Sequence, residues 1–219
     1  MSLNILVFLG SSRESTPPYP SRLGARVANS LLTHINKGDS TATLVDPLDF
    51  DFDKVFKPQF CYRKGEAPQQ LEALATAIEN ADAYVMVSPE YNHSMSPTLA
   101  HLLNHFGSSL FSYKPSLIAT YSAGQWGGAR AAVNMRSYLS ELGCLPVSAM
   151  IHVPKAQEVF NEKGEYLEGV DAKAWDSYID RAAIQLNWWA DAARTQRKNP
   201  DAIKPPSAFN KEPSQRNAP

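Results

Sequence analysis

Short, continuous apolar runs recur between stretches of helical period, and this alternation restricts the chain to few architectures. The first run, Leu3-Asn4-Ile5-Leu6-Val7-Phe8-Leu9, ends at Gly10. A strand with one wet face alternates apolar and polar residues, so a run this continuous predicts burial on both faces, as in a parallel sheet. From Arg22 to Asn36, Leu23, Val27, Leu31 and Ile35 recur every four residues and predict one apolar helical stripe. Thr41–Asp46, Ala83–Ser88, Ser116–Tyr121 and Leu145–Val153 read as four further strands. Helices are predicted over Pro68–Asn80, from Ser96-Pro97 onward, over Gly128–Leu142, and over Asp171–Arg194. Ser96 suits a cap and Pro97 the first helical position. On the last helix Trp175, Tyr178, Ile179, Ala182, Leu186 and Trp189 are expected to share the inward stripe. The fold class that follows is α/β, a doubly wound sheet of five parallel strands with helices on both faces.

The 219 residues suffice for one such domain, expected over residues 1–195. Residues 196–219, rich in Lys, Pro, Asn and Ser, read as a tail that is flexible or packed on a partner, with Phe209 a candidate anchor. A net charge of −1 gives no bias towards nucleic acid or anionic membrane. No apolar run approaches the roughly 20 residues that span a bilayer. Met1-Ser2-Leu3-Asn4 does not read as a secretory signal. Cys61 and Cys144 lie far apart without metal-site spacing; as reduced thiols they favour a cytoplasmic location. Pro47–Ala67 has no period, yet it holds Phe50, Phe52, Phe56, Phe60 and Tyr62.

In open parallel sheets, ligands sit beyond the carboxyl ends of the strands, where the strand order reverses. Three loops there carry chemistry. Gly10-Ser11-Ser12-Arg13-Glu14-Ser15 follows the first strand; its hydroxyls, amides and guanidinium suit a phosphate at a helix N-terminus. The plainer reading is a polar loop whose serines cap the helix. Neither a Walker-A sequence nor GxGxxG is present. After the third strand, Ser88-Pro89-Glu90-Tyr91-Asn92-His93-Ser94 offers a stiffened loop with an aromatic and an amide, able to pack a flat heterocycle. It is equally a rigid turn into a capped helix, and Glu90 is either a general base or an anchor for loop backbone. For His93 an exposed or locally bonded imidazole is favoured over a catalytic acid. After the fourth strand, Ser122-Ala123-Gly124-Gln125-Trp126-Gly127-Gly128-Ala129-Arg130 brings glycine-rich backbone to a helix N-terminus, where N–H groups attract negative charge. The alternative there is a flexible loop whose glycines permit close packing.

Together these loops, with Pro97-x-Leu99 and Gly127-Gly128-x-Arg130-Ala131, resemble the NADPH-dependent FMN reductase family, which includes azo-dye and quinone reductases. The resemblance covers about residues 3–195. It implies a flavodoxin-like sheet of order 2-1-3-4-5, a homodimer or a dimer of dimers, and FMN held across the three loops with NADPH or NADH as co-substrate. By the resemblance, Ser11 and Arg13 hold the phosphate, Pro89, Glu90, Tyr91 and Asn92 contact the isoalloxazine, and Ser122, Ala123 and Gly124 lie by its pyrimidine side. A proline-rich insertion, Thr16-Pro17-Pro18-Tyr19-Pro20, departs from the family pattern and leaves Ser15, Ser21 and Arg22 as alternatives for the second phosphate ligand. The aromatics of residues 47–67 either line a dimer interface or substrate lid, or cover the sheet edge within one subunit.

The activity implied is ping-pong hydride transfer from NAD(P)H through FMN to a quinone, azo dye, free flavin or metal ion. Two rivals keep the flavin but not the turnover: an electron carrier of the flavodoxin kind, and a redox-responsive regulatory module. Near-neutral charge counts against the carrier. A serine hydrolase ranks last, because no GxSxG is present.

Overall fold

The structure is a computed structural model, and it describes residues 2–13, 15, 20–52 and 55–204. Thr16–Tyr19 of the proline-rich insertion and Phe209 of the tail lie outside the described residues. The elements run β1 (Leu3–Leu9), α1 (Leu23–Asn36), β2 (Ser40–Val45), α2 (Gln69–Asn80), β3 (Ala83–Pro89), α3 (Pro97–Asn104) and α4 (Ser108–Phe111). They continue with β4 (Pro115–Tyr121), α5 (Ala129–Glu141), β5 (Leu145–Val153), α6 (Ala156–Val159) and α7 (Ala172–Lys198).

All strand pairings within the sheet are parallel, and the order is β2-β1-β3-β4-β5. The sheet is buried on both sides. Ile5, Val7 and Leu9 of β1, with Val85 and Val87 of β3, pack under α1 and α7. Leu6 and Phe8, with Tyr84 and Met86, pack under α2, α3 and α5 on the other face. Alternate residues of one strand thus feed two separate cores, which is why β1 reads as an unbroken apolar run. Among the described residues no helix is long and apolar enough to cross a membrane.

Two expectations need correction. Trp189 does not join the inward stripe of α7: Ile179, Ala182, Ala183, Leu186 and Ala190 are buried, whereas Trp189 is 40% exposed and stacks edge-on against the exposed Trp188. Over a helix this long the inward direction drifts from any fixed spacing, and position 190 replaces 189. The helix also runs past Arg194 to Lys198, because Arg197 bonds Asp82 at 3.0 Å and the carbonyl of Tyr113 at 3.0 Å. The aromatics of the 47–67 stretch divide. Phe50, Phe52 and Tyr62 pack onto the α2–α3 core, and Phe52 stacks on His105 at 4.3 Å. Phe56 and Phe60 stay about half exposed, Phe56 lying against His101 and His105.

Candidate functional site

The strands β1, β3 and β4 are neighbours in the sheet, so the three loops singled out by sequence leave the same edge side by side. The order reverses between β1 and β3, and there the first two loops meet. Gly10 makes the meeting possible. Its N–H donates to the carbonyl of Val87 at 2.7 Å, and a Cβ on it would lie 2.8 Å from that oxygen and 3.0 Å from Leu99 Cβ. Ser12 and Thr98 share a hydroxyl hydrogen bond of 2.9 Å, and the Arg13 guanidinium donates to the Tyr91 hydroxyl at 3.5 Å. Gly10, Ser11, Ser12, Arg13, Tyr91, Pro97 and Thr98 line a cavity of about 320 Å³. A larger concavity of about 660 Å³ lies at the opposite end of the sheet, between Tyr113 and Lys204. Its lining lacks the clustered hydroxyls of the smaller one.

The β3 loop is closed at its base and strained at its tip. Ser96 N–H donates to Ser88 Oγ at 2.9 Å, and Ser96 Oγ in turn accepts from Leu99 N–H at 3.0 Å, capping α3 as its sequence predicts. Tyr91 and Ser94 exchange backbone hydrogen bonds of 3.0 and 2.9 Å around Asn92 and His93, whose φ angles are +50° and +62°. That pair of left-handed residues makes a two-residue turn of the primed type, unusual for a histidine. Asn134 of α5 steadies it by donating to the His93 carbonyl at 2.5 Å. His93 itself is exposed.

Glu90 proves to be an anchor. Its carboxylate accepts from the N–H groups of Arg130 and Ala131 at 3.1 and 3.2 Å, capping the otherwise uncapped start of α5. The pairing of carboxylate with orphan helix donors and the positive dipole end is favourable. It also ties the β3 loop to the β4 loop. Arg130 reaches back, 3.9 Å from Glu90 and 5.5 Å above the ring of Trp126, which is 62% exposed.

In the β4 loop the acceptors are committed inward. The carbonyls of Ser122, Ala123 and Gly124 accept from Ala156 N–H, Gln157 Nε2 and Lys155 N–H at 3.0, 3.0 and 2.9 Å. Ser122 Oγ bridges Gly124 O and Gly127 N–H, so its hydroxyl shapes the loop. Gly127 and Gly128 both have positive φ, and a Cβ on Gly128 would lie 2.8 Å from Thr120 Cβ. Around Gly124 a Cβ would meet nothing within 4 Å, which leaves open space beside the exposed backbone.

Of the alternatives for a second phosphate ligand, Arg22 is committed elsewhere. It forms a bidentate pair with Asp46 at the end of β2 and also donates to the Ser11 carbonyl, its side chain only 9% exposed. It therefore holds the first loop from beneath. Ser21 N–H donates to Glu162, and Ser15 is half-buried in the same loop. Sequence reasoning missed Thr98 and Tyr121. Tyr121 ends β4 with its ring buried on the α1 side, and burial raises its pKa to about 12.

Comparison with known proteins gives the chain its family. An NAD(P)H-dependent FMN reductase of Pseudomonas aeruginosa is 32% identical over 105 residues, 46% of this chain and 57% of that protein. A quinone reductase of Escherichia coli is 40% identical over 75 residues, 33% of this chain and 40% of that one. The chain thus spans about half the length of the curated relatives it matches. In fold it resembles FerB, a flavoenzyme NAD(P)H:(acceptor) oxidoreductase of Paracoccus denitrificans, with a TM-score of 0.65 at 19% identity, covering 85% of this chain and 98% of that one. The family model of the NADPH-dependent FMN reductases matches residues 3–158, which take in all five strands and all three loops, and the chain therefore belongs to that family.

Proposed function

We propose that this chain is an FMN-dependent NAD(P)H oxidoreductase that serves a small acceptor, a quinone, azo dye, free flavin or metal ion, by ping-pong turnover. One observation carries the reading. Hydroxyls of Ser11, Ser12 and Thr98 and the guanidinium of Arg13 converge on one cavity at the β1–β3 switch, with the Ser122–Gly124 backbone one strand away. The residues fit FMN: among the described residues the cavity lining contains hydroxyls and a cation and no carboxylate, which suits a phosphate. Beside it, the open side of Gly124 and the exposed Tyr91 leave room for a flat ring. When bound, FMN supplies hydride chemistry that amino-acid side chains lack.

The residues of this chain bind and orient. Ser11, Arg13 and, next to them, Ser15 or Ser21 hold the phosphate. Pro89, Tyr91 and Asn92 present backbone to the ring, while Glu90 fixes the distance between that loop and α5. With their carbonyls turned to residues 155–157, Ala123 and Gly124 offer N–H donors to the electron-rich edge of the ring, while Ser122, whose N–H bonds Val153 O and whose hydroxyl bonds Gly124 O, shapes the loop. Protein reconstituted with FMN will be yellow and will bleach anaerobically on addition of NADPH or NADH, and steady-state plots against acceptor will give parallel lines. Protein that retains no FMN after reconstitution ends the proposal.

We assign the half-exposed Phe56 and Phe60 to the contact between two copies of the chain. Their neighbours Phe50 and Phe52 already close the core, so these two rings are left facing outward. Changing Phe56 and Phe60 together to serine will halve the sedimentation mass of a dimer. An unchanged mass returns them to a role within one subunit.

A further inference from the structure

The loop after β4 is pinned from behind by the segment that follows β5, and its three carbonyls are not held alike. Ser122 O accepts from the N–H of Ala156 at 3.0 Å. Gly124 O accepts from the N–H of Lys155 at 2.9 Å and from Ser122 Oγ at 2.7 Å. Backbone and the loop's own serine thus fix those two peptides. Between them, Ala123 O accepts from a side chain, the amide of Gln157 in α6, at 3.0 Å. A carbonyl only accepts, so the amide nitrogen of Gln157 must face it. Among the described residues no other group bonds this carbonyl. The peptide it belongs to ends on Gly124, where a Cβ would meet nothing within 4 Å. Glycine takes either sign of φ at little cost, so it is the Gln157 side chain that keeps the Ala123–Gly124 peptide from turning over.

We propose that Gln157 is a positioning residue for FMN: by holding the Ala123 carbonyl it aims the N–H of Gly124 at the electron-rich edge of the ring, and so favours the reduced over the oxidised cofactor. Across a planar trans peptide the C=O and the N–H point in opposite directions. With the carbonyl turned to Gln157, the Gly124 N–H faces the open side of the loop, and it donates to no group among the described residues. Turned over, the same peptide would present a carbonyl oxygen in place of the N–H. The two arrangements differ little towards a neutral ring and strongly towards a reduced one that carries negative charge, because a fixed donor is worth most where charge develops. Gln157 lies 34 residues beyond the carbonyl it holds, so nothing in the loop's own sequence announces it. This inference rests on the FMN reading, and its test separates the two.

Wild type, Gln157→Met, Gln157→Asn and Glu158→Gln are titrated with oxidised FMN and, anaerobically, with reduced FMN, and the midpoint potential of the bound flavin is measured for each. Methionine keeps the length of the side chain and has no donor; asparagine keeps the amide and falls one methylene short. Gln157 is exposed, so neither change removes core packing. Both are expected to weaken reduced FMN about tenfold and to leave oxidised FMN within about twofold, which lowers the two-electron potential by about 30 mV. Glu158, the next residue, reaches the Lys155 ammonium at 3.2 Å, and Glu158→Gln should match wild type with both forms. Equal weakening of both forms leaves the potential where it was, reduces Gln157 to a part of the loop's scaffold, and overturns the assignment. Unchanged binding of both forms overturns it too, as does a shift of the same size in Glu158→Gln. Wild type that takes up FMN in neither form overturns the FMN reading, and this role with it.

Discussion

Replacing Lys114 by methionine will lower the free energy of unfolding by about 3 kcal/mol at pH 7, and the deficit will widen as the pH rises from 8 towards 10. Lys114 is 6% exposed, and its ammonium donates to the carbonyls of Ile78, Glu79 and Leu110 at 2.7, 2.7 and 3.0 Å. It thus ties the carboxyl ends of α2 and α4 together, where, among the described residues, Ile78 O otherwise accepts only a 3.3 Å bond from the capping Ala81 N–H besides that of Tyr84. Tyr84 donates to two of the same oxygens, at 2.9 Å to Ile78 and 3.2 Å to Leu110, so methionine leaves Glu79 with the barest carbonyl. Burial, helped by the nearby charge of Arg197, lowers the Lys114 pKa from 10.5 to about 8. The folded state therefore holds this proton more weakly than the unfolded chain. Between the two values the unfolded lysine is still charged while the folded one is neutral. Stability from this group is fully present above the unfolded pKa and is lost as pH falls through 8. Methionine has no such dependence, so the gap between wild type and variant grows by about 2 kcal/mol across that window. Urea unfolding of both proteins at pH 7, 8, 9 and 10 measures it; a gap that stays level or narrows with rising pH contradicts the buried ammonium.

What the sequence disclosed, and what it did not, divides along the range of the interactions. Strand β1 was legible because Leu6 and Phe8 feed one core and Ile5 and Val7 the other, so its burial is written in consecutive residues. The cap by Ser96 was legible because donor and acceptor lie three residues apart. For Glu90 an anchoring role was one of two readings, but its partners were not legible, since the groups it caps are 40 and 41 residues away and come near only when β4 is laid beside β3. Arg22 looked like a phosphate ligand from its place after a serine-rich loop, but Asp46 arrives from β2 and takes its guanidinium. The end of α7 was misjudged for the same reason. Local composition there reads as tail, while Asp82, over a hundred residues earlier, holds both Arg194 and Arg197. Pairing of charges across the sheet has no periodic trace in the chain. The three loops were legible as candidates because each follows a strand; that the sheet order makes them adjacent is what turns three weak signals into one candidate site.

That adjacency rests on one hydrogen atom in place of a methyl group. Changing Gly10 to alanine will weaken FMN binding by about 100-fold and lower stability by about 2 kcal/mol. The new Cβ would lie 2.8 Å from the Val87 carbonyl oxygen, 3.0 Å from Leu99 Cβ and 3.0 Å from Ser96 Oγ. None of these can retreat cheaply: the carbonyl is sheet backbone, Leu99 is fully buried, and Ser96 is held as the cap of α3. The loop must move instead, which stretches the 2.7 Å bond from Gly10 N–H to Val87 and carries Ser11, Ser12 and Arg13 away from Thr98 and Tyr91. Losing alignment of two hydrogen bonds to a charged phosphate accounts for a factor of about 100. Gly38→Ala is the control, since a Cβ there meets only the Ile35 carbonyl at 3.9 Å and the residue is exposed. It should match wild type in FMN affinity and lie within about 0.5 kcal/mol in stability. FMN affinity of the Gly10→Ala protein equal to that of the control would mean that the phosphate is held somewhere other than the junction of β1 and β3.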